Sequence, residues 1–196
     1  MSNVLKVGLV SVSDRASAGV YEDRGISAMK SWLESAVSSP LEFEARLIPD
    51  EQDTIEQTLL SLVDDFRCPL ILTAGSTGPA RRDVTVEATK AVGTKELPGF
   101  GEYMRLVSLN FTPTAILSRQ TAVVCERDGY ASLIINLPGQ PAAVRETLEG
   151  VRDESGAIRM PGLFTSVPYC IELIGGPSIH TNDAVCPAWR PKNKTR

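Results

Sequence analysis

Leu70 to Thr89 reads LILTAGSTGPARRDVTVEAT. An apolar run, Leu70 to Thr73, passes into a segment holding Gly75, Gly78 and small hydroxyls. Arg81, Arg82 and Asp83 follow, and a helix opens at Val84 or Thr85. A strand, a glycine-containing loop and a helix N-terminus in that order form an anion site. Glycines expose backbone N–H groups there, and the helix dipole adds positive potential. Asp83 is out of place in such a loop. A carboxylate tolerates a neighbouring phosphate when a divalent cation lies between them, so the segment predicts a phosphate and magnesium site together.

The same alternation continues on both sides. Leu5 to Val12 is a short apolar run suited to a buried strand. Ile26, Met29, Trp32, Leu33, Ala36 and Val37 share one helical face, closed by Pro40. Leu41, Phe43, Ala45 and Leu47 alternate with Glu42, Glu44 and Arg46, which predicts a half-exposed strand ending at Ile48. Ile55, Leu59, Leu62, Val63 and Phe66 make a second helical stripe. Phe100, Met104, Val107 and Phe111 make a third, after Pro98 and Gly99. Ala122 to Cys125 and Leu133 to Leu137 are strands flanking ERDGY, whose Asp128 and Gly129 signal a hairpin. Arg145 to Val151 completes a helix after Pro141, and Phe164 to Ile174 forms a last one interrupted by Pro168. Strands alternating with helices predict an α/β fold: three layers, a mostly parallel sheet with helices on both faces, plus the β-hairpin. Residues 1–175 form a single domain, and 176–196 an extended surface arm ending in the basic RPKNKTR.

Composition narrows the class. The chain has 196 residues, 42% apolar and 22% charged, as in a globular protein with one sizeable core. A net charge of −4 argues against a nucleic-acid partner, so any polyanion bound is small and held locally. The four cysteines, Cys68, Cys125, Cys170 and Cys186, form no Cys-x-x-Cys pair, and His180 is the only histidine. Free thiols in a reducing cytoplasm are the expectation. Neither a signal-peptide pattern nor a membrane-length apolar run is present, which predicts a cytoplasmic protein without membrane contact.

Four polar clusters sit at strand ends: Ser11, Ser13, Asp14 and Arg15; Asp50; Gly75 to Asp83; and Asn136 to Gln140. If these strands run parallel, all four clusters share one rim, where α/β sheets bind ligands. Turn chemistry alone also places such residues after strands, so the convergence of the clusters carries the argument. GSTGPARRD lacks the Gly-Lys-Ser/Thr of a P-loop, and no Gly-x-Gly-x-x-Gly or Gly-x-Ser-x-Gly is present. His180, in the irregular tail, reads as a surface residue. Without a general base, an already ionised phosphate is the natural nucleophile, and catalysis rests on positioning and charge neutralisation. Asp50 and Asp83 then become metal ligands. They also suit helix N-caps before Thr54 to Phe66 and Val84 to Val92, and the two roles are compatible. Arg81 and Arg82 either meet phosphate or project into water.

Together the motifs VGLVSVSDRASAGVYEDRG, LIPDE, STGPARRDVT, PTAILSRQ, INLPGQP and SVPYCIEL resemble, in this order, the molybdopterin adenylyltransferases of the bacterial MogA type and the G domain of gephyrin. The resemblance spans the whole chain. It implies a MogA/MoaB-like α/β fold, a homotrimer and a molybdopterin-binding domain over 1–175. It further implies transfer of AMP from ATP to the terminal phosphate of molybdopterin, with release of pyrophosphate, and a MoeA-like partner enzyme that inserts molybdenum. By motif, Asp50 and Asp83 match the aspartates tied to catalysis and Mg2+. Ser13, Asp14, Gly75, Ser76, Thr77, Gly78, Ser118, Arg119, Asn136, Pro138 and Gly139 match segments lining the substrate pocket. Ser76 stands where the family usually has glycine, and Val86 where it has proline. Serine at a positive φ would cost on the order of 1 kcal/mol. The alternative reading is a non-catalytic molybdopterin-binding protein of the same fold, MoaB-like, which that change would allow.

Overall fold

β1 (Leu5–Val12) is the strand from which the sheet grows in both directions. The computed structural model describes residues 4–191. In it β1 pairs parallel with β2 (Leu41–Ile48) on one side and with β3 (Leu70–Ala74) on the other. β3 pairs parallel with β6 (Tyr130–Leu137), and β6 pairs antiparallel with β5 (Ala122–Arg127). The two-residue Asp128-Gly129 turn supplies that hairpin, with Gly129 at φ 72°, a conformation glycine adopts without a Cβ penalty. A short edge strand, β4 (Lys95–Glu96), completes a six-stranded sheet ordered β2-β1-β3-β6-β5-β4. Every residue of β3 is buried, as a central parallel strand covered on both faces requires, whereas β2 at the edge alternates in exposure.

Period-2 alternation divides the core. Leu5, Val7 and Leu9 of β1 face α2 (Gly25–Ala36), α6 (Pro141–Glu149) and α7 (Val167–Leu173). Val10 and Val12 face α3 (Gln52–Asp64) and α4 (Thr85–Val92). Met104 of α5 (Pro98–Ser108) joins the first face. There Trp32 and Phe164 meet edge-to-face at 5.0 Å between centroids. Gly8 allows close packing of α3: a Cβ there would lie 2.9 Å from Leu62 Cδ1, which would have to shift.

Several boundaries differ from the sequence expectation, each for a local reason. α6 stops at Glu149, so Val151 belongs not to a helix but to β7 (Gly150–Arg152), paired antiparallel with β8 (Ile158–Pro161) in a separate two-stranded sheet. Gly150 makes the switch at φ 91°, where any Cβ would strike Met160 O at 2.2 Å. Pro168 does not interrupt the last helix. It lies in the first turn of α7, where its missing N–H is harmless, and a 3-10 turn over Leu163–Thr165 precedes it. Phe111 lies beyond the end of α5 and is exposed. The described part of the C-terminal arm is tied to the body of the fold. Thr181 bridges Val37, the exposed His180 accepts through its carbonyl from the Ser38 and Ser39 N–H groups, and Ile179 and Cys186 are buried. The end of the basic tail, residues 192–196, and residues 1–3 lie outside the described residues. No helix among the described residues is long and apolar enough to cross a membrane.

Candidate active site

Chain direction reverses at the centre of the sheet. From β1 the chain moves outward to β2 and then returns across β1 to β3, so a crevice opens beyond the carboxyl ends of β1 and β3. The strands β2, β1, β3 and β6 are parallel, and all four polar clusters therefore occupy one rim. A cleft of about 670 Å³ lies there, lined by Ser11 to Ser13, Tyr21 to Gly25, Asp50, Gly75, Ser76 and Gly139 to Pro141, among others. The N-terminal ends of α2, at Gly25, and of α6, at Pro141, both contribute, adding positive potential to a wall that already carries Arg15 and Arg24.

The anion loop after β3 is shaped by two glycines in contact. Gly75 has φ 103°, and a Cβ on it would meet Val12 O at 2.3 Å, while a Cβ on Gly139 would lie 3.2 Å from Gly75 Cα. Backbone thus meets backbone at the base of the cleft, leaving room for a ligand only a chain without side chains can leave. Ser76 follows at φ 55°. Its Oγ accepts from Val84 N–H at 3.0 Å and donates to Arg82 O at 3.2 Å, so the hydroxyl is turned onto the start of α4. Among the described residues, the N–H groups of Ser76, Thr77 and Gly78 have no hydrogen-bond acceptor.

Asp14 and Asp50 clasp the ends of β1 and β2 reciprocally. Asp14 N–H donates to Asp50 Oδ2 at 2.5 Å, and Asp50 N–H donates to Asp14 Oδ1 at 3.0 Å. The bond from the Asp50 backbone, and then the Arg82 guanidinium, hold the Asp14 carboxyl below the usual carboxylate range. Arg82 bridges Asp14 and Glu51 at 2.9 Å each, so it meets carboxylates rather than open water. Neither aspartate suspected of capping a helix does so. Glu51 and Val84 are the N-cap residues of α3 and α4, without side-chain cap bonds. Asp83 folds into its own loop instead, Oδ2 accepting from Ala80 N–H at 2.9 Å.

Of the residues singled out by sequence, Ser13, Asp50, Gly75, Ser76 and Gly139 line the cleft, and Asp14 adjoins it through Asp50. Thr77, Gly78, Asp83, Ser118, Arg119, Asn136 and Pro138 do not line it. Asn136 is wholly buried within β6, donating to Thr73 and Thr89 hydroxyls at 3.0 and 2.8 Å. Ser118 Oγ donates to Gln120 Oε1, and Arg119 reaches the back of the anion loop. Tyr21, Glu22, Asp23 and Arg24 are lining residues that sequence reasoning missed. Asp23 had a readable signal, a carboxylate just ahead of the stripe beginning at Ile26. It accepts from Ile26 N–H at 3.0 Å and from Ser11 Oγ at 2.5 Å. Tyr21 had none, since it lies in an aperiodic loop. Its OH is 2.8 Å from Ser13 Oγ, and Arg15 lies 5.4 Å from its ring centroid.

Residues 8–154 match the family described as "Probable molybdopterin binding domain". The chain is 58% identical over 194 residues to the molybdopterin adenylyltransferase of Escherichia coli K12, covering 99% of this chain and 97% of that one. To the molybdopterin adenylyltransferase of Helicobacter pylori J99 it is 46% identical over 188 residues, covering 96% and 98%. Among solved structures, the molybdopterin biosynthesis enzyme MoaB of Thermus thermophilus superimposes with a TM-score of 0.73 at 38% identity, over 89% of this chain and 99% of that one.

Proposed function

The chain belongs to the molybdopterin-binding domain family, and from that premise we propose that its rim cleft joins AMP from ATP to the terminal phosphate of molybdopterin. One observation carries the reading to the chemistry. The cleft combines an anion loop with unpartnered N–H groups, two helix N-termini and Asp50, and it holds no histidine. A phosphate oxygen of molybdopterin, already ionised, attacks the α-phosphorus of ATP. The new P–O bond forms as the bond from the α-phosphorus to the bridging oxygen breaks, and pyrophosphate departs with that electron pair. No proton needs removal, so catalysis consists of aligning two anions and offsetting their repulsion.

The residues divide that work. The Ser76 N–H and the α2 and α6 termini hold phosphate oxygens, and Arg15 and Arg24 add positive charge. Magnesium fits as an ion borne by the triphosphate, because such ions need one or two protein carboxylates only. Asp50 would hold it, having one oxygen engaged by Asp14 and the other free of partners among the described residues. No group of three candidate ligands exists among the described residues, in keeping with a substrate-borne ion. Bound there, it supplies charge neutralisation. Asp83 organises the loop through Ala80, and Asp14 locks Asp50 in place.

We further propose a homotrimer in the cytoplasm, handing its product to a molybdenum-inserting enzyme. The exposed apolar patch of Leu106, Leu109, Phe111, Ile116 and Leu117 supports self-association. The experiment is turnover of Asp50→Asn and Asp83→Asn beside the unaltered protein, with molybdopterin and magnesium ATP. Each variant is expected to lose at least about 100-fold in kcat with its fold intact. Normal turnover by Asp50→Asn would refute the assignment of the cleft, and binding of molybdopterin without any product would favour the non-catalytic alternative.

A further inference from the structure

Arg119 stands outside the cleft, between a 3-10 turn over Pro113–Leu117 and β5, yet it grips both limbs of the anion loop. Its own N–H donates to Thr77 O at 2.8 Å, and its Nε donates to Gly78 O at 2.8 Å. Its Nη2 donates to Asp83 O at 2.6 Å, and its guanidinium pairs with Glu87 in the first turn of α4. One planar fork therefore ties the descending limb at Gly78 to the returning limb at Asp83 and Glu87, while the backbone N–H alone reaches Thr77. Among the described residues, the loop's own bonds link Ser76 to Arg82, Val84 and Thr85 at its base and Ala80 to Asp83 at its tip, and none of them reaches Thr77 or Gly78. Gly78, lacking a Cβ that would lie 2.8 Å from Asp83 Oδ2, lets the limbs close further.

We propose that Arg119 is a positioning residue for adenylyl transfer, acting through the anion loop and touching neither substrate. This rests on the reading of the cleft given above. The guanidinium sets the separation of the two limbs, and with it the direction of the Ser76 to Gly78 N–H groups and of the Asp83 carboxylate. Lysine is a poor substitute, because an ammonium is a point charge and cannot bridge two carbonyls and a carboxylate in one plane. Glu87 holds the guanidinium in turn, and its own carboxyl is lowered by that bond. A misplacement of about 1 Å in a preorganised site lowers turnover on the order of 100-fold.

The test is steady-state kcat and KM for magnesium ATP, with saturating molybdopterin, in Arg119→Gln, Arg119→Lys and Glu87→Gln, together with thermal midpoints and amide exchange at residues 76–83. For Arg119→Gln, kcat and kcat/KM are expected to fall together by about 100-fold, the mark of an interaction realised in the transition state. Arg119→Lys should recover about tenfold of that loss, Glu87→Gln should lose about tenfold, and the loop amides should exchange faster in all three. Unchanged kcat in Arg119→Gln despite faster exchange would overturn the proposal. So would a loss of activity that follows the thermal midpoint alone, with lysine no better than glutamine. If Arg119→Gln does not fold, Glu87→Gln decides by the same criteria. An unaltered protein that makes no adenylylated product refutes adenylyl transfer itself and the role of Arg119 with it, whereas an active one beside an equally active Arg119→Gln overturns this proposal alone.

Discussion

Among the described residues, two occupy left-handed backbone without being glycine, and they do so for different reasons. Ser76, at φ 55°, accepts strain but recovers a hydrogen bond that starts α4. The strain costs about 1 kcal/mol, and the cap-like bond contributes about the same. Ser76→Gly should therefore leave stability nearly unchanged, while Ser76→Ala, which keeps the strain and loses the bond, should destabilise by about 1 kcal/mol. Chemical denaturation of both variants checks this, and a serious loss in Ser76→Gly would show that the hydroxyl outweighs the strain. Arg67, at φ 51°, closes the helical turn after α3, where Cys68 N–H donates to Leu62 O. Its stacking 5.9 Å from the Tyr130 centroid is a weak recompense. Arg67→Gly should stabilise by about 0.5–1 kcal/mol, read from the same denaturation midpoint. The positive φ at position 76 was legible only as a condition, because sequence names the residue and not the dihedral. The bonds that make serine acceptable there come from Arg82 and Val84, well along the loop.

Helices and strands carried by regular burial were readable wherever one face meets the core. β1, α2, β2 and α3 lie where their apolar periods put them, and the Asp128-Gly129 turn specifies the hairpin. The failures share one cause, which is structure held by tertiary contact instead of by period. β4 has two residues, both exposed, and β7–β8 exists because Gly150 can turn where no side chain fits. The arm is likewise held by contact, since nothing periodic marks it. Arg190 pairs with Glu172 of α7 at 2.8 Å and donates to Ile179 O at 2.7 Å. Arg190, with help from Ser178, holds the Glu172 carboxyl below its usual range. A carboxyl lowered in the folded state adds stability that is fully present above the unfolded value, about 4.3, and is lost as pH falls through the folded value. Glu172→Gln should thus lower the thermal midpoint at pH 7, and the gap to the unaltered protein should close below about pH 4. A gap that persists undiminished at about pH 3 would mean the ionised pair is not what ties the arm.

At the scale of the molecule, the site was legible for a topological reason. Parallel strands send their carboxyl ends to one rim, so four clusters far apart in sequence converge once the strands are known to be parallel. Which of those residues face the cleft was not legible, because that depends on how each loop folds back. Asn136 belongs to the buried ladder, and Arg119 to the outside of the loop. Self-association also belongs to this scale. Ile116 is 68% exposed and Leu106 50%, so Ile116→Glu with Leu106→Glu should shift the sedimentation coefficient toward that of a monomer if the patch is the interface. An unchanged coefficient would rule this patch out as an interface. Adenylyl transfer in the rim cleft moves the α-phosphorus of ATP onto the pterin, so an isotopic label at that atom follows the reaction itself. The protein is incubated with magnesium, molybdopterin and ATP labelled at the α-phosphate. Label is expected on the pterin phosphate with one pyrophosphate released for each, in the unaltered protein and not in Asp50→Asn; unlabelled pterin under conditions where molybdopterin binds would refute adenylyl transfer.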